Sequence, residues 1–263
     1  MTKRILSALI GAPLLLYMTW LGGLYLALLV TVLALLGLRE FLDIGRKADF
    51  VSQSRLIVIF CALWLGIFLF GYYTWLLPLG LIWFVLIFGR YALNYPDISY
   101  TQASYGFLAF VYPVALFTYL YFLRELPHGL VWCFFVFTVV WATDTGAFFV
   151  GTAFGRRKLA PRVSPKKSVE GAVGGLLSAM LLGLVFWLIT KEGNLPAVLI
   201  LSMVTSMVSQ IGDLFESALK RSAGVKDSGT IIPGHGGILD RFDSFLFALP
   251  MVYFALILGL VGF

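Results

Sequence analysis

The chain has 263 residues, 60% of them hydrophobic and 12% charged, with a mean hydropathy of +0.96. A soluble domain carries about 25% charged residues, and a chain this apolar would expose surface it could not cover in water, so the class is an integral membrane protein with the lipid bilayer as its solvent. The net charge of +6 reads as loops facing anionic headgroups and not as a nucleic-acid footprint, and Cys61 and Cys133, each inside an apolar run, support neither a disulfide nor a zinc framework.

The first segment, MTKRILSALIGAPLLLYMTW, places Lys3 and Arg4 before an apolar run. No A-x-A-like cleavage site follows, so it reads as a retained first helix. Nine runs have the length and apolarity of membrane helices: about 5–20, 24–42, 56–71, 73–89, 105–123, 128–153, 170–190, 195–216 and 244–262. The first, third and fourth are short or abutting, which leaves a re-entrant pair open. The links at 20–24 and 71–73 predict antiparallel neighbours, and Gly22–Gly23 reads as a turn. Arg39, Glu40 and Asp43 close the second run and read as a solvated helix end. With the N-terminus cytoplasmic, seventeen of the nineteen Lys and Arg residues fall on the cytoplasmic side, leaving Arg124 and Lys191 opposite. The expected fold is therefore an all-α integral membrane protein of about nine transmembrane helices, with the N-terminus cytoplasmic and the C-terminus on the opposite side.

Polar residues gather in the second half. Asp144 lies inside the sixth run, where a carboxylate is rare and either bonds a neighbouring helix or serves a site. At the end of the eighth run, Gln210, Asp213, Ser217 and Lys220 are spaced three, four and three apart and share a helical face, with Glu216 at its border. A snorkelling helix end would explain Lys220 and Glu216 but not the deeper Asp213 and Gln210. Asp240 and Asp243 begin the ninth run, three apart; helix capping accounts for one of them, most simply Asp243. Before them stands PGHGG, in which Gly234, Gly236 and Gly237 allow either a tight turn or an anion nest of backbone amides. The loop after the sixth run adds Ser164, Lys166, Lys167 and Ser168, donors suited to phosphate oxygens. Clustered carboxylates beside cations suggest Mg²⁺ held by Asp side chains, with phosphates bridging metal and Lys or Arg. No GxxxxGK[ST] is present to support a Walker-type NTPase.

The stretch SALKRSAGVKDSGTIIPGHGGILDRFD, Ser217 to Asp243, resembles the signature of the phosphatidate cytidylyltransferases, or CDP-diacylglycerol synthases. DTGAFFVGTAFGRRKLAPRVSPKKSVEG, Asp144 to Gly171, and QIGDLFES, Gln210 to Ser217, resemble the same family, so the likeness covers roughly 140–244. Phe148 stands where members commonly have Tyr, and Ser168 where they commonly have Thr. Residues 1–127 read as a set of about five transmembrane helices, and residues 128–263, which hold the polar segments, as a catalytic region of about four helices with two cytoplasmic polar loops. The resemblance implies a Mg²⁺-dependent reaction of CTP with phosphatidic acid that gives CDP-diacylglycerol and pyrophosphate. Asp213 and Asp240 are the implied metal ligands, with Asp243 and Asp144 nearby. Lys226 and Arg241 join the catalytic set. Ser164, Lys166, Lys167, Ser168, Ser217, Lys220, Arg221, His235, Gly236 and Gly237 are the substrate contacts, His235 either donating to a phosphate or ordering the glycine turn. A homodimer is compatible with the sequence. A bacterial inner membrane, with the site facing the cytoplasm, is the expected location.

Two other classes remain in view. Intramembrane Asp144 and Asp213 would suit an ion-coupled transporter, but the sequence has no paired repeat. A CDP-alcohol phosphotransferase or lipid kinase is a second rival, and the DGxxAR-type motif of the former is absent.

Overall fold

A computed structural model describes residues 2–51, 54–231 and 236–262, with side chains from residue 9 onward. His235 and Gly234, singled out above, lie outside the described residues. The helices are α1 (Thr2–Leu21), α2 (Gly23–Lys47), α3 (Ser54–Leu69), α4 (Leu76–Leu93), α5 (Tyr100–Phe110), α6 (Leu116–Glu125), α7 (Gly129–Phe154), α8 (Val169–Thr190), α9 (Leu195–Ser222) and α10 (Leu239–Ile257). A π-helical segment, Val111–Ala115, joins α5 to α6 into one run. Every predicted span falls on a helical run. Among the described residues six of these runs are long and apolar enough to cross a membrane: Gly23–Lys47, Tyr73–Leu93, Tyr100–Glu125, Gly129–Phe154, Val169–Thr190 and Leu195–Ser222. Their outer faces carry exposed apolar side chains, such as Val85, Leu177 and Ile189, which lipid covers at no cost. The tight link at Gly22 and Gly23 is a turn with positive φ at both residues.

The chain is all-α as expected, with one small addition. Between α7 and α8 the basic segment forms an antiparallel hairpin of β1 (Lys158–Ala160) and β2 (Ser164–Ser168), pairing Lys158 with Ser168 and Ala160 with Ser164. β1 is only three residues long, and β2 carries Lys, Ser and Pro, so the period-two signal of a half-buried strand is missing.

The chain folds as two compact units: Met1–Thr118 with Ser222–Asp240, and Tyr119–Arg221 with Arg241–Phe263. In the first, Phe41 stacks on Tyr105, whose hydroxyl donates to the Phe41 carbonyl at 2.6 Å. Phe60 stacks on Trp83 in the same unit. In the second, α7 and α8 run against each other with backbones nearly touching. A Cβ at Gly174 would strike the Val150 side chain, and one at Gly175 would lie 2.7 Å from the Thr143 carbonyl. Small residues at such a seam let membrane helices pack closely. Trp132 and Phe135 pack on Phe186 further along it.

Candidate functional site

In the second unit, three helices each contribute a carboxylate. Asp144 comes from α7, Asp213 from α9 and Asp243 from α10. Gly212 explains how α9 and α10 come together: a Cβ there would lie 2.5 Å from the Asp243 carbonyl oxygen and 3.1 Å from the Phe247 ring. Asp213, the next residue, comes within electrostatic range of Asp243. Asp144 lies within electrostatic range of Asp213, Lys167 and Arg241, and Asp243 within range of Asp213, Glu216 and Asp144. Asp144 is exposed on its helix. A carboxylate facing hydrocarbon would be costly, so this position demands a polar cleft or a cation.

The cations come from the hairpin and the helix ends. Lys167, on β2, forms an ion pair with Asp213. Arg221 Nε donates to the Val163 carbonyl at 3.3 Å, holding the hairpin turn near the end of α9. Ser217 Oγ donates to Asp213 Oδ1 at 3.4 Å, and Gln210 Nε2 donates to the Ala172 carbonyl at 3.3 Å. The helical face predicted for Gln210, Asp213 and Ser217 therefore exists. Lys166 and Arg241 are exposed, and Ser164 is half-buried at the start of β2.

Several residues sit differently from expectation. Lys220 and Glu216 are not a snorkelling end: both are buried, and they pair with each other across one helical turn. Burying two charges is tolerable when each satisfies the other. Ser168 is buried and caps α8, its Oγ accepting from Gly171 N at 3.1 Å. Asp243 does not cap α10. It lies in the second turn, and its Oδ1 accepts from Ser244 N at 2.7 Å.

In the first unit, the glycine-rich loop closes on a carboxylate of its own. Asp240 Oδ2 accepts from Ser228 N at 2.9 Å, from Gly237 N at 2.8 Å and lies 3.0 Å from Ser228 Oγ. Gly236 has φ of +83°, and a Cβ there would strike Asp240. Of the two readings of PGHGG, the described part therefore follows the tight turn. The anion that its Gly237 amide holds is Asp240. Lys226 and Asp227 are exposed.

Glu40 escaped the sequence reading. Arg39, Asp43 and Arg46 are indeed solvated and form surface ion pairs. Glu40, one residue from Arg39, is buried at 2% exposure. Its Oε1 accepts from Ile238 N at 2.8 Å, and its Oε2 from Leu239 N at 3.0 Å and Ser228 Oγ at 2.9 Å. A carboxylate from α2 thus satisfies the amides that open α10, which have no partner within the helix. The sequence hint was slight: apolar Phe41 and Leu42 follow Glu40, but charged Arg39 precedes it.

Among the described residues, no three His, Cys, Asp or Glu side chains are disposed to hold a metal ion as they stand. The donor set nonetheless suits a hard cation. Mg²⁺ takes one or two protein carboxylates and completes its shell with water and substrate phosphates, and Asp144, Asp213 and Asp243 supply oxygens of that kind.

A sequence model of the cytidylyltransferase family matches residues 2–258. The chain is similar to the phosphatidate cytidylyltransferase of Bacillus subtilis, 37% identical over 268 residues, covering 98% of each protein. It is 40% identical over 264 residues to the enzyme of that name from Staphylococcus epidermidis, covering 98% of this chain and 99% of the relative. The one from Staphylococcus aureus is 35% identical over 264 residues, again covering 98% of this chain and 99% of the relative. The likeness that the motifs suggested over 140–244 extends through the N-terminal helices as well.

Proposed function

This chain belongs to the cytidylyltransferase family, and we propose that it transfers the cytidylyl group of CTP to phosphatidic acid, giving CDP-diacylglycerol and pyrophosphate. The observation that carries this reading is the grouping in one unit of carboxylates from three helices with Lys167 and Arg241, in a chain aligned end to end with enzymes of that name. Such a mixture suits a polyphosphate substrate, which needs cations around it and a metal-binding acid beside them.

The phosphate monoester of the lipid is anionic at neutral pH and needs no strong base. One of its oxygens attacks the α-phosphorus of CTP. The bond from that phosphorus to the bridging oxygen of the β-phosphate breaks, and pyrophosphate leaves with its electron pair. The obstacle is that two polyanions must meet, so the chain's work is positioning and neutralising charge. Lys167 is placed to pass from Asp213 to a phosphate oxygen. Arg241, Lys166 and Arg221 belong to the same unit as Lys167 and take further phosphate contacts, with Ser164 and Ser217 as hydroxyl donors; a phosphate role for Lys226 rests on the motif. Asp144, Asp213 and Asp243 would hold Mg²⁺, which supplies Lewis-acid neutralisation of the phosphates when bound. The assignment of Asp240 as a metal ligand, and of His235 to a phosphate, rests on the motif.

The orientation is part of the proposal. Seventeen of nineteen basic residues lie on one side of a nine-span arrangement, which favours a cytoplasmic site in a bacterial inner membrane. Membranes incubated with labelled CTP and phosphatidic acid should yield labelled lipid only when Mg²⁺ is present. Label independent of phosphatidic acid would overturn the reading. Cys61 and Cys133 are buried, so an Asp227→Cys variant reports cleanly on topology. It should react with impermeant maleimide from the cytoplasmic side alone.

A further inference from the structure

We infer that Glu40 is a positioning residue for the proposed reaction: from α2 it sets the shape of residues 228–229 and 237–239, which stand beside Lys226 and Asp240. The inference rests on the cytidylyl-transfer reading for its catalytic consequence, and on geometry alone for the loop.

Three observations converge. First, a buried carboxylate on an otherwise apolar helix face spends both oxygens on the loop and on the amides that open α10. These partners are 188 to 199 residues away in sequence, so the contact is tertiary and cannot serve α2 itself. Second, the loop is shaped around this side chain. A Cβ at Gly229 would lie 2.7 Å from Glu40 Oε1, and one at Gly237 would strike both Glu40 and Ser228 Oγ. Two glycines of the motif therefore make room for a carboxylate of the protein. Third, the base is stiff. One turn before Glu40, Gly37 is closed in by Leu239, Phe117 and Pro113, where a Cβ would meet their side chains at 3.2–3.4 Å. A functional loop is held best by a residue whose own position is locked by packing.

Ser228 links the two acids. Its hydroxyl lies 2.9 Å from Glu40 Oε2 and 3.0 Å from Asp240 Oδ2, and its one proton can serve only one of them at a time. Its amide goes to Asp240. Glu40 therefore acts on Asp240 through Ser228, and on the first turn of α10 directly. Loss of Glu40 releases the loop at both ends without removing any group assigned to substrate.

The test uses the full-length protein in lipid nanodiscs, with Glu40→Gln, Ser228→Ala, Gly229→Ala and the Glu40→Gln/Gly229→Ala double variant. Glu40→Gln keeps the shape but turns an NH₂ toward backbone donors. Amides of 228–231 and 236–240 should exchange with deuterium at least about 10-fold faster, while those of α7 and α8 keep wild-type protection. The kcat for CTP incorporation should fall about 10–100-fold, with the KM for phosphatidic acid within about 2-fold of wild type, the scale of one or two charge-assisted hydrogen bonds. The double variant should be no worse than the poorer single one, because both changes strike one contact. Ser228→Ala, a milder cut, should move the same amides and lower kcat by about 3–10-fold. Unchanged exchange in the loop for both Glu40→Gln and Ser228→Ala would overturn the inference, as would additive losses in the double variant. Faster exchange throughout α7 and α8 would also overturn it, reducing Glu40 to general stability. If the wild-type protein transfers no cytidylyl group, the proposed function fails, and the exchange data still decide where Glu40 acts.

Discussion

The two acidic groups of this protein are held in opposite ways. Around Ser228, Glu40 and Asp240 are anchored chiefly by backbone amides, which cannot leave without remaking the loop. Around Asp213, the partner is the side chain of Lys167, a flexible cation that can exchange one anion for another. The difference bears on the proposed chemistry. A carboxylate fixed by main chain organises the loop around it, whereas an ion pair between side chains can open without remaking the backbone, which the proposed passage of Lys167 to a phosphate would require.

That contrast can be broken by substitution. The largest effect belongs to Asp213→Asn. It should lower CTP incorporation into lipid by about 10²–10³-fold or more, the scale for losing one electrostatic element of a site, while the protein's amount in the membrane stays at the wild-type level. Chelation with EDTA should have a comparable effect on the unaltered protein, reversed by added Mg²⁺ and read in the same assay. Lys167→Met comes next, with a loss of about 10–100-fold that Lys167→Arg partly restores, since a charge-assisted hydrogen bond contributes about 1.5–3 kcal/mol. Gly212→Ala sharpens the comparison differently. It should cost about 1–3 kcal/mol by forcing α9 from α10, lowering the thermal midpoint in detergent. Arg39→Ala should change stability by less than about 0.5 kcal/mol, because its partner Asp43 is solvated. A large effect there would mean that the surface pair, and not Glu40 alone, matters at the end of α2.

Asp144 and Asp213 stood out in the sequence because a carboxylate in an apolar run is rare and needs a polar partner, whether a neighbouring helix or a site. The stripe of Gln210, Asp213 and Ser217 followed from helical spacing alone. Glu40 was not legible, since its neighbours Arg39, Asp43 and Arg46 really are solvated and its partners lie some two hundred residues further on. Burial is a tertiary property, and the local pattern carries it only when the whole helix face agrees. The same limit hid the Lys220–Glu216 pair, whose four-residue spacing was visible but whose burial was not. The hairpin was missed for a different reason: a three-residue β1 and a β2 of Lys, Ser and Pro are held by backbone pairing and by contacts to α9, neither of which has a hydropathy signature.

The hairpin has one more consequence, and it concerns how charge is delivered. Its register is irregular: between the pairs Lys158–Ser168 and Ala160–Ser164, Leu159 of β1 stands opposite three residues of β2, Pro165 to Lys167. An irregularity of this kind bends a strand and re-aims its side chains. In that stretch Lys167 reaches Asp213 while its neighbour Lys166 is exposed. Net charge in this segment therefore overstates the charge delivered to the acid beside it. Ser168, committed to the α8 cap, ties down the end of the same strand, so the ammonium that meets Asp213 is chosen by backbone pairing and not by the count of lysines.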